Sequence, residues 1–301
     1  MSLMSSTGVK LAGIVVALAV VGAGCATTQT VRSEADTHAR KHMVTATTTA
    51  QATRESAAQL LAAENEAAGD RLVAAVGTTI AVHGDNVSVS AEDVTTGVTA
   101  SYHGEQKYVT ASTIKVDILA ALLYRTHGDL TDEEHQLATT MIENSDNDAA
   151  TDLFESVGLA SGLNAVNKVF GLHQTSVNEA WGLTTTDTGD WLKLLRQVFT
   201  TRSSLTFDER RYIRTLMGNV ESDQRWGVPA AADRGTTFFV KNGWLPRSAT
   251  GLWVINSIGE VTYHGQHLLI AVMSDNNTSE SSGISLVEGI AKKAVAAVTG
   301  E

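Results

Sequence analysis

Ser112-Thr113-Ile114-Lys115 runs straight into Val116, Ile118, Leu119, Ala120, Ala121, Leu122 and Leu123, and this stretch decides how the chain is read. A helix that is apolar almost all the way round belongs inside a large core, not on a surface. Lys115 is then buried, and an ammonium stripped of water is costly unless paired or neutralised. Burial also lowers a lysine's pKa toward the range in which it can accept a proton. Ser112 lies three positions earlier, on the same helical face. A hydroxyl beside such a lysine is a nucleophile with its base attached. An isolated Ser-x-x-Lys is weak by itself, because a lysine can also reach past apolar neighbours to solvent.

Working outward, residues 87–91 alternate with period two, Thr95-Thr96-Gly97 is a turn, and residues 98–102 return as the second arm of a hairpin. Before them, a helix is expected from near Ser56 to a stop at Gly77, followed by a β-branched strand over 79–82. After Ser112 the chain reads helical to about Gly218, with breaks at Gly128, Gly158, Gly162, Gly171 and Gly182. Strands are expected again over 236–240, 251–258 and 268–274, then a last helix over 282–298. Strands split around a helical block predict an α/β (α+β) fold, with an antiparallel sheet built from both chain ends and helices packed on it.

The bulk properties agree. With 301 residues, 43% hydrophobic and 18% charged, the chain can bury a sizeable core. A net charge of −11 argues against a nucleic-acid partner, which calls for a basic patch. The N-terminus reads as a targeting segment: Lys10, an apolar run over 11–21, then Gly22-Ala23-Gly24-Cys25. Residues 1–25 are expected to be a signal peptide with a lipobox-like end, although Gly22 stands where such motifs usually have leucine. Cys25 is the only cysteine, so it is the expected lipidation site and no internal disulfide can form. Residues 26–54, rich in Thr and Ala, are expected to be a flexible tether, and 55–301 the folded domain. The mature protein is therefore expected outside the cytoplasm, anchored to the membrane by lipid or otherwise secreted.

Two more elements follow Ser112-x-x-Lys115. Ser145-Asp146-Asn147 falls in a polar break between helical stretches, and Lys241-Asn242-Gly243 ends an apolar strand. In this order and context the trio resembles the signature of class A β-lactamases and penicillin-binding proteins. The resemblance covers roughly residues 55–299. It implies a β-lactamase/transpeptidase-like fold, an antiparallel sheet flanked by helices plus an all-helical lobe, with the active site between them. Only 33 positions separate Ser112 from Ser145, so that lobe is expected to be shortened.

The resemblance also implies roles. Ser112 would be acylated, Lys115 would take its proton, and Ser145 would relay a proton to the departing nitrogen. Lys241 would supply positive charge for the substrate carboxylate, Asn147 would hold the substrate's side-chain amide, Asn242 would still be able to donate to the carboxylate, and Gly243 would let the edge strand approach a substrate lying alongside it. The N–H groups of Ser112 and Trp244 would face the oxyanion. Asn242 departs from the usual Thr or Ser, and no clear counterpart of the glutamate that activates the deacylating water is present. Glu179 is the only acid in that neighbourhood, and a solvated loop acid is the plainer reading of it. Trp181, Trp191 and Trp253 are expected to be core, whereas Trp226 could line the cleft. His264 and His267 are expected in an exposed turn, and a metal site would need more ligands than they offer.

The expected function is an exported serine hydrolase that forms an acyl-enzyme at Ser112 with β-lactams or D-alanyl-D-alanine-like peptides, with slow deacylation and no cofactor or metal. Its rival is a catalytically quiet envelope protein that keeps the fold as a binding module.

Overall fold

The computed structural model describes residues 28–83 and 86–301. The expected signal peptide and Cys25 lie outside these residues. The chain divides into two units, Met1–Ala57 and Ala58–Glu301.

Helix α1 is Thr28–His83. The stretch expected as a flexible tether is thus helical from Thr28 onward. No glycine or proline occurs between Gly24 and Gly69, and alanine recurs throughout, so nothing local interrupts a helix there. Gly77 does not stop the helix either, and residues 79–82, expected as a strand, are its last turn. One glycine inside a helix costs only about 1 kcal/mol, and the buried contacts of Ala68, Leu72 and Val76 outweigh it.

Strands β1 (Asn86–Asp93) and β2 (Thr99–Tyr102) form the expected hairpin. A short β3 (Tyr108–Val109) leads to a 3₁₀ turn, Ala111–Thr113, and then to α2 (Ile114–Thr126). Helices α3 (Asp132–Glu143), α4 (Asn147–Val157) and α5 (Leu159–Phe170) follow. Gly162, expected as a break, lies inside α5. A loop and the two-residue β4 (Thr185–Thr186) precede α6 (Thr188–Phe199) and α7 (Phe207–Gly218). The chain closes with β5 (Phe238–Pro246), β6 (Trp253–Tyr263), β7 (Gln266–Asn277) and α8 (Glu280–Thr299).

The main sheet is antiparallel in the order β2-β1-β7-β6-β5, so strands from both ends of the chain meet at the β1–β7 pair. β7 shows why the sheet is covered on both faces. Leu269, Ala271 and Met273 belong to the core shared with α2–α7, while Leu268, Ile270 and Val272 belong to the core under α8. The first core contains α2, whose residues from Ile114 to Leu123 are all buried. The start of α3 is a capping box: Thr131 and Glu134 satisfy each other's backbone N–H groups.

Candidate active site

Ser112 sits in the 3₁₀ turn that opens α2, and the turn is held from three directions. Asn256 of β6 donates to the carbonyls of Val109 (2.8 Å) and Thr110 (3.0 Å). Thr113 Oγ1 donates to the Thr110 carbonyl (2.8 Å) and receives the indole N–H of Trp191 (3.0 Å). Ala111, just before Ser112, has φ 47°, a left-handed conformation that a non-glycine residue keeps only where its surroundings enforce it. The strand β5 presses against the same turn. A Cβ on Gly243 would lie 2.8 Å from the backbone nitrogens of Ser112 and Thr113 and 2.9 Å from the Thr110 carbonyl oxygen. Only glycine permits that approach.

Lys115 has no exposed surface, so it does not reach solvent. Its Nζ donates to the Ser145 carbonyl (2.6 Å), Asn147 Oδ1 (2.8 Å) and Ser145 Oγ (3.2 Å), which uses all three ammonium hydrogens. Burial pushes its pKa down from 10.5 to about 7, with the Asp146 carboxylate pulling it partly back up. Lys241 is also fully buried, and its Nζ donates to Ser145 Oγ at 2.9 Å. Burial holds Lys241 well below its usual pKa, and the nearby charge of Lys115 pushes in the same direction. One serine hydroxyl therefore bridges two buried lysines, and neither lysine is in an ion pair with a carboxylate among the described residues.

The local reason for this geometry is the loop between α3 and α4. Ser145 adopts φ 60°, which turns its carbonyl toward Lys115, and Asp146 caps α4 by accepting the Ala149 N–H at 2.8 Å. The middle residue of Ser-Asp-Asn is thus a helix cap, and the flanking two reach Lys115.

A cleft of about 300 Å³ opens over Ser112, lined by Ala111, Asn147, Trp244, Leu245 and the loop residues Ala180 to Leu183. Ser112 Oγ has no hydrogen-bond partner among the described residues, and Lys115 is turned to Ser145 and Asn147 instead. Asn242 is placed otherwise than expected. It is buried, it is absent from the cleft lining, and its amide N–H group donates to the carbonyls of Gln224 (2.8 Å) and Trp226 (3.1 Å). Strand alternation explains this: Lys241 reaches Ser145 and Gly243 abuts the Ser112 turn, so Asn242 between them lies on the other face of the strand. Glu179 is exposed and does not line the cleft. Trp191 is core, but Trp181, expected to be core, is half-buried, lines the cleft and covers Lys115, its ring centroid 5.0 Å from Nζ. Trp226 packs edge-on against Trp244 just outside the cleft lining. His264 and His267 flank the β6–β7 turn, about three-fifths exposed, against Glu301 and Glu260 respectively.

A model of the β-lactamase enzyme family matches residues 71–134 and 133–298. The chain belongs to that family. Solved structures show the same fold. A class A β-lactamase from Bacteroides cellulosilyticus is 15% identical, with a TM-score of 0.69 over 78% of this chain and 99% of the other. A variant of PBP-A, in an acyl-enzyme complex with penicillin G, is 20% identical, with a TM-score of 0.67 over 77% and 97%. A β-lactamase from Xanthomonas campestris is 18% identical, with a TM-score of 0.65 over 75% and 97%. No curated protein matches the chain. Lys115, Ser145, Asn147 and Lys241 form one hydrogen-bonded cluster, and Ser112 stands at the start of the helix that carries Lys115. Asn256, Trp181 and Gln224 complete that cluster without belonging to any of the three motifs.

Proposed function

We propose that this protein is an exported serine hydrolase, tethered through Cys25, that is acylated at Ser112 by β-lactams or D-alanyl-D-alanine-like amides and releases the acyl group slowly. The observation that carries the reading is the Ser145 hydroxyl held by both Lys115 and Lys241 beside Ser112. When Lys115 is neutral it keeps two N–H donors for Ser145 and Asn147 and frees a lone pair. A modest rotation of its flexible stem then lets it accept the Ser112 proton as Oγ attacks the carbonyl. The carbonyl carbon–nitrogen bond breaks, Ser145 delivers its hydroxyl proton to the leaving nitrogen, and the proton that Lys115 took from Ser112 passes to Ser145 Oγ along their hydrogen bond, while Lys241 donates to the same oxygen. The apolar lining from Trp181, Leu183, Trp244 and Leu245 suits a substrate with an apolar group beside its carbonyl.

Slow release follows from what the cleft lacks. No lining residue carries a carboxylate or an imidazole, so water attacking the ester has no dedicated base among them. A second reading, a quiet binding module, draws on the resting position of Lys115 away from Ser112 and on the buried Asn242. Intact-protein mass spectrometry after exposure to penicillin G separates the two. The hydrolase gains one ligand mass, and Ser112→Ala gains none. A wild-type chain that stays unmodified refutes the proposal and leaves the binding module.

A further inference from the structure

The three hydrogens of the Lys115 ammonium go to Ser145 and Asn147, yet these contacts alone do not explain its complete burial, because Asn147 is itself exposed and Ser145 only half-buried. The indole of Trp181 also lies over Nζ, its ring centroid 5.0 Å away. Trp181 comes from the 3₁₀ turn Trp181–Leu183 in the loop between α5 and α6, and its Nε1 donates to Thr151 Oγ1 of α4 at 3.1 Å. The ring is thus pinned to the helical lobe. It touches Lys115 and also walls the cleft over Ser112.

We propose that Trp181 sets the lifetime of the acyl group on Ser112, as a positioning residue whose ring keeps water away from Lys115. This rests on the reading that Ser112 is acylated. Hydrolysis of that ester forms a bond from water oxygen to the carbonyl carbon and breaks the bond from that carbon to Ser112 Oγ. One water proton must pass to a base as the attack occurs, and a proton must return to Oγ as it leaves. Lys115 is the titratable group beside Ser112 that could do both, and it titrates at about 7. A water can be activated by Lys115 only if it reaches Nζ, and the indole both lines the cleft and lies over that atom. The same ring does not obstruct acylation, since Ser112 lies on the cleft side and needs no water. An aromatic face is suited to the task because it also tolerates the ammonium form through its quadrupole, so it can cover Lys115 in either protonation state.

The test uses the full chain as wild type, Trp181→Phe, Trp181→Leu and Trp181→Ala. Each is acylated with penicillin G and freed of excess ligand, and loss of the adduct is followed by intact mass between pH 6 and 9. Trp181→Ala is expected to lose its acyl group at least tenfold faster than wild type, with a rate that rises with pH through the titration of Lys115. Trp181→Phe is expected to stay within about threefold of wild type, because its ring covers the same face. Near-UV circular dichroism checks the fold, and where Trp181→Ala fails it, the apolar but smaller Trp181→Leu decides. Lifetimes equal to wild type in the folded variant overturn this inference and leave the acylation reading standing. A faster loss that is independent of pH also overturns it, since a merely loosened loop would do that. A wild-type chain that never acquires the adduct overturns both.

Discussion

Acylation should follow the titration of Lys115. The perturbation is pH alone, and the structure sets the scale: Lys115 is fully buried and its pKa falls from 10.5 to about 7. A base works in its neutral form, so the active fraction is about one in ten at pH 6, about half at pH 7 and about nine in ten at pH 8. The acylation rate constant for penicillin G, read by rapid quench and intact mass, should therefore rise about tenfold from pH 6 to 8 and then level off. An exposed lysine would give no plateau below pH 9, and its rate would climb about tenfold per unit throughout. Lys115→Ala should remove the dependence and lower the plateau by about a hundred- to ten-thousand-fold, with the fold retained. Unbroken unit slope to pH 9, a flat profile from pH 6 to 8, or near-normal acylation by Lys115→Ala would each refute the assignment of Lys115 as the base.

Further outcomes can be checked independently. Gly243→Ala places a Cβ 2.8 Å from two backbone nitrogens of the Ser112 turn, so strand or turn must retreat, and acylation should fall by about tenfold to a hundredfold while circular dichroism stays unchanged. Asp117→Asn should stabilise the fold increasingly with pH. Burial raises the Asp117 carboxyl from 3.8 to about 7, with Asn167 opposing and Asp190 reinforcing the shift. The native state therefore holds a proton that the unfolded chain has lost, and stability declines between about pH 4 and 7, by up to about 4 kcal/mol. Urea unfolding of both forms at pH 5 and pH 8 should show the variant's advantage mainly at pH 8. Glu179→Gln should change steady-state β-lactam turnover by less than about tenfold; a collapse would identify the exposed Glu179 as the deacylation base. Cys25→Ser should move the protein from the membrane fraction to the soluble one, because one acyl chain barely anchors a protein and a diacylated cysteine does.

What the sequence disclosed depended on whether the signal lay in neighbouring residues. The buried character of α2 is written in consecutive side chains from Ile114 to Leu123, and the β1–β2 hairpin in a period-two run beside Thr95-Thr96-Gly97. The three motifs each occupy three or four positions, so they could be found without knowing the fold. Trp181 carries no such signal: its loop has no periodicity, and its partners Lys115 and Thr151 come from two different helices. Asn256 likewise reads as one polar residue in an apolar strand until the fold brings it under Val109 and Thr110. For Asn242 the strand pattern says more than the motif: its place between Lys241 and Gly243 puts it on the other face of β5 by alternation alone. In α1 the composition points two ways: a Thr- and Ala-rich stretch buries little, but it contains no residue that breaks a helix over 28–68.

The two ionisable groups buried in α2 show why such a site is costly to maintain. Lys115 titrates at about 7 in the fold and at 10.5 in the unfolded chain, so the native state binds fewer protons between those values. Stability from this group therefore increases as pH rises from about 7 to 10.5, and below about 7 its charged form costs up to about 5 kcal/mol. Asp117 acts oppositely across about pH 4 to 7. Together they place the least stable point of α2 near neutral pH, where Lys115 is half neutral. A helix selected for stability alone would carry leucine at both positions, since an apolar residue of similar volume is often neutral or stabilising in place of a buried charge. Lys115 and Lys241, both without a carboxylate partner among the described residues and both donating to one serine hydroxyl, carry that cost. A quiet binding module would have no use for a half-titrated base beside a serine that has no hydrogen-bond partner among the described residues, and on that ground the hydrolase reading is the stronger of the two.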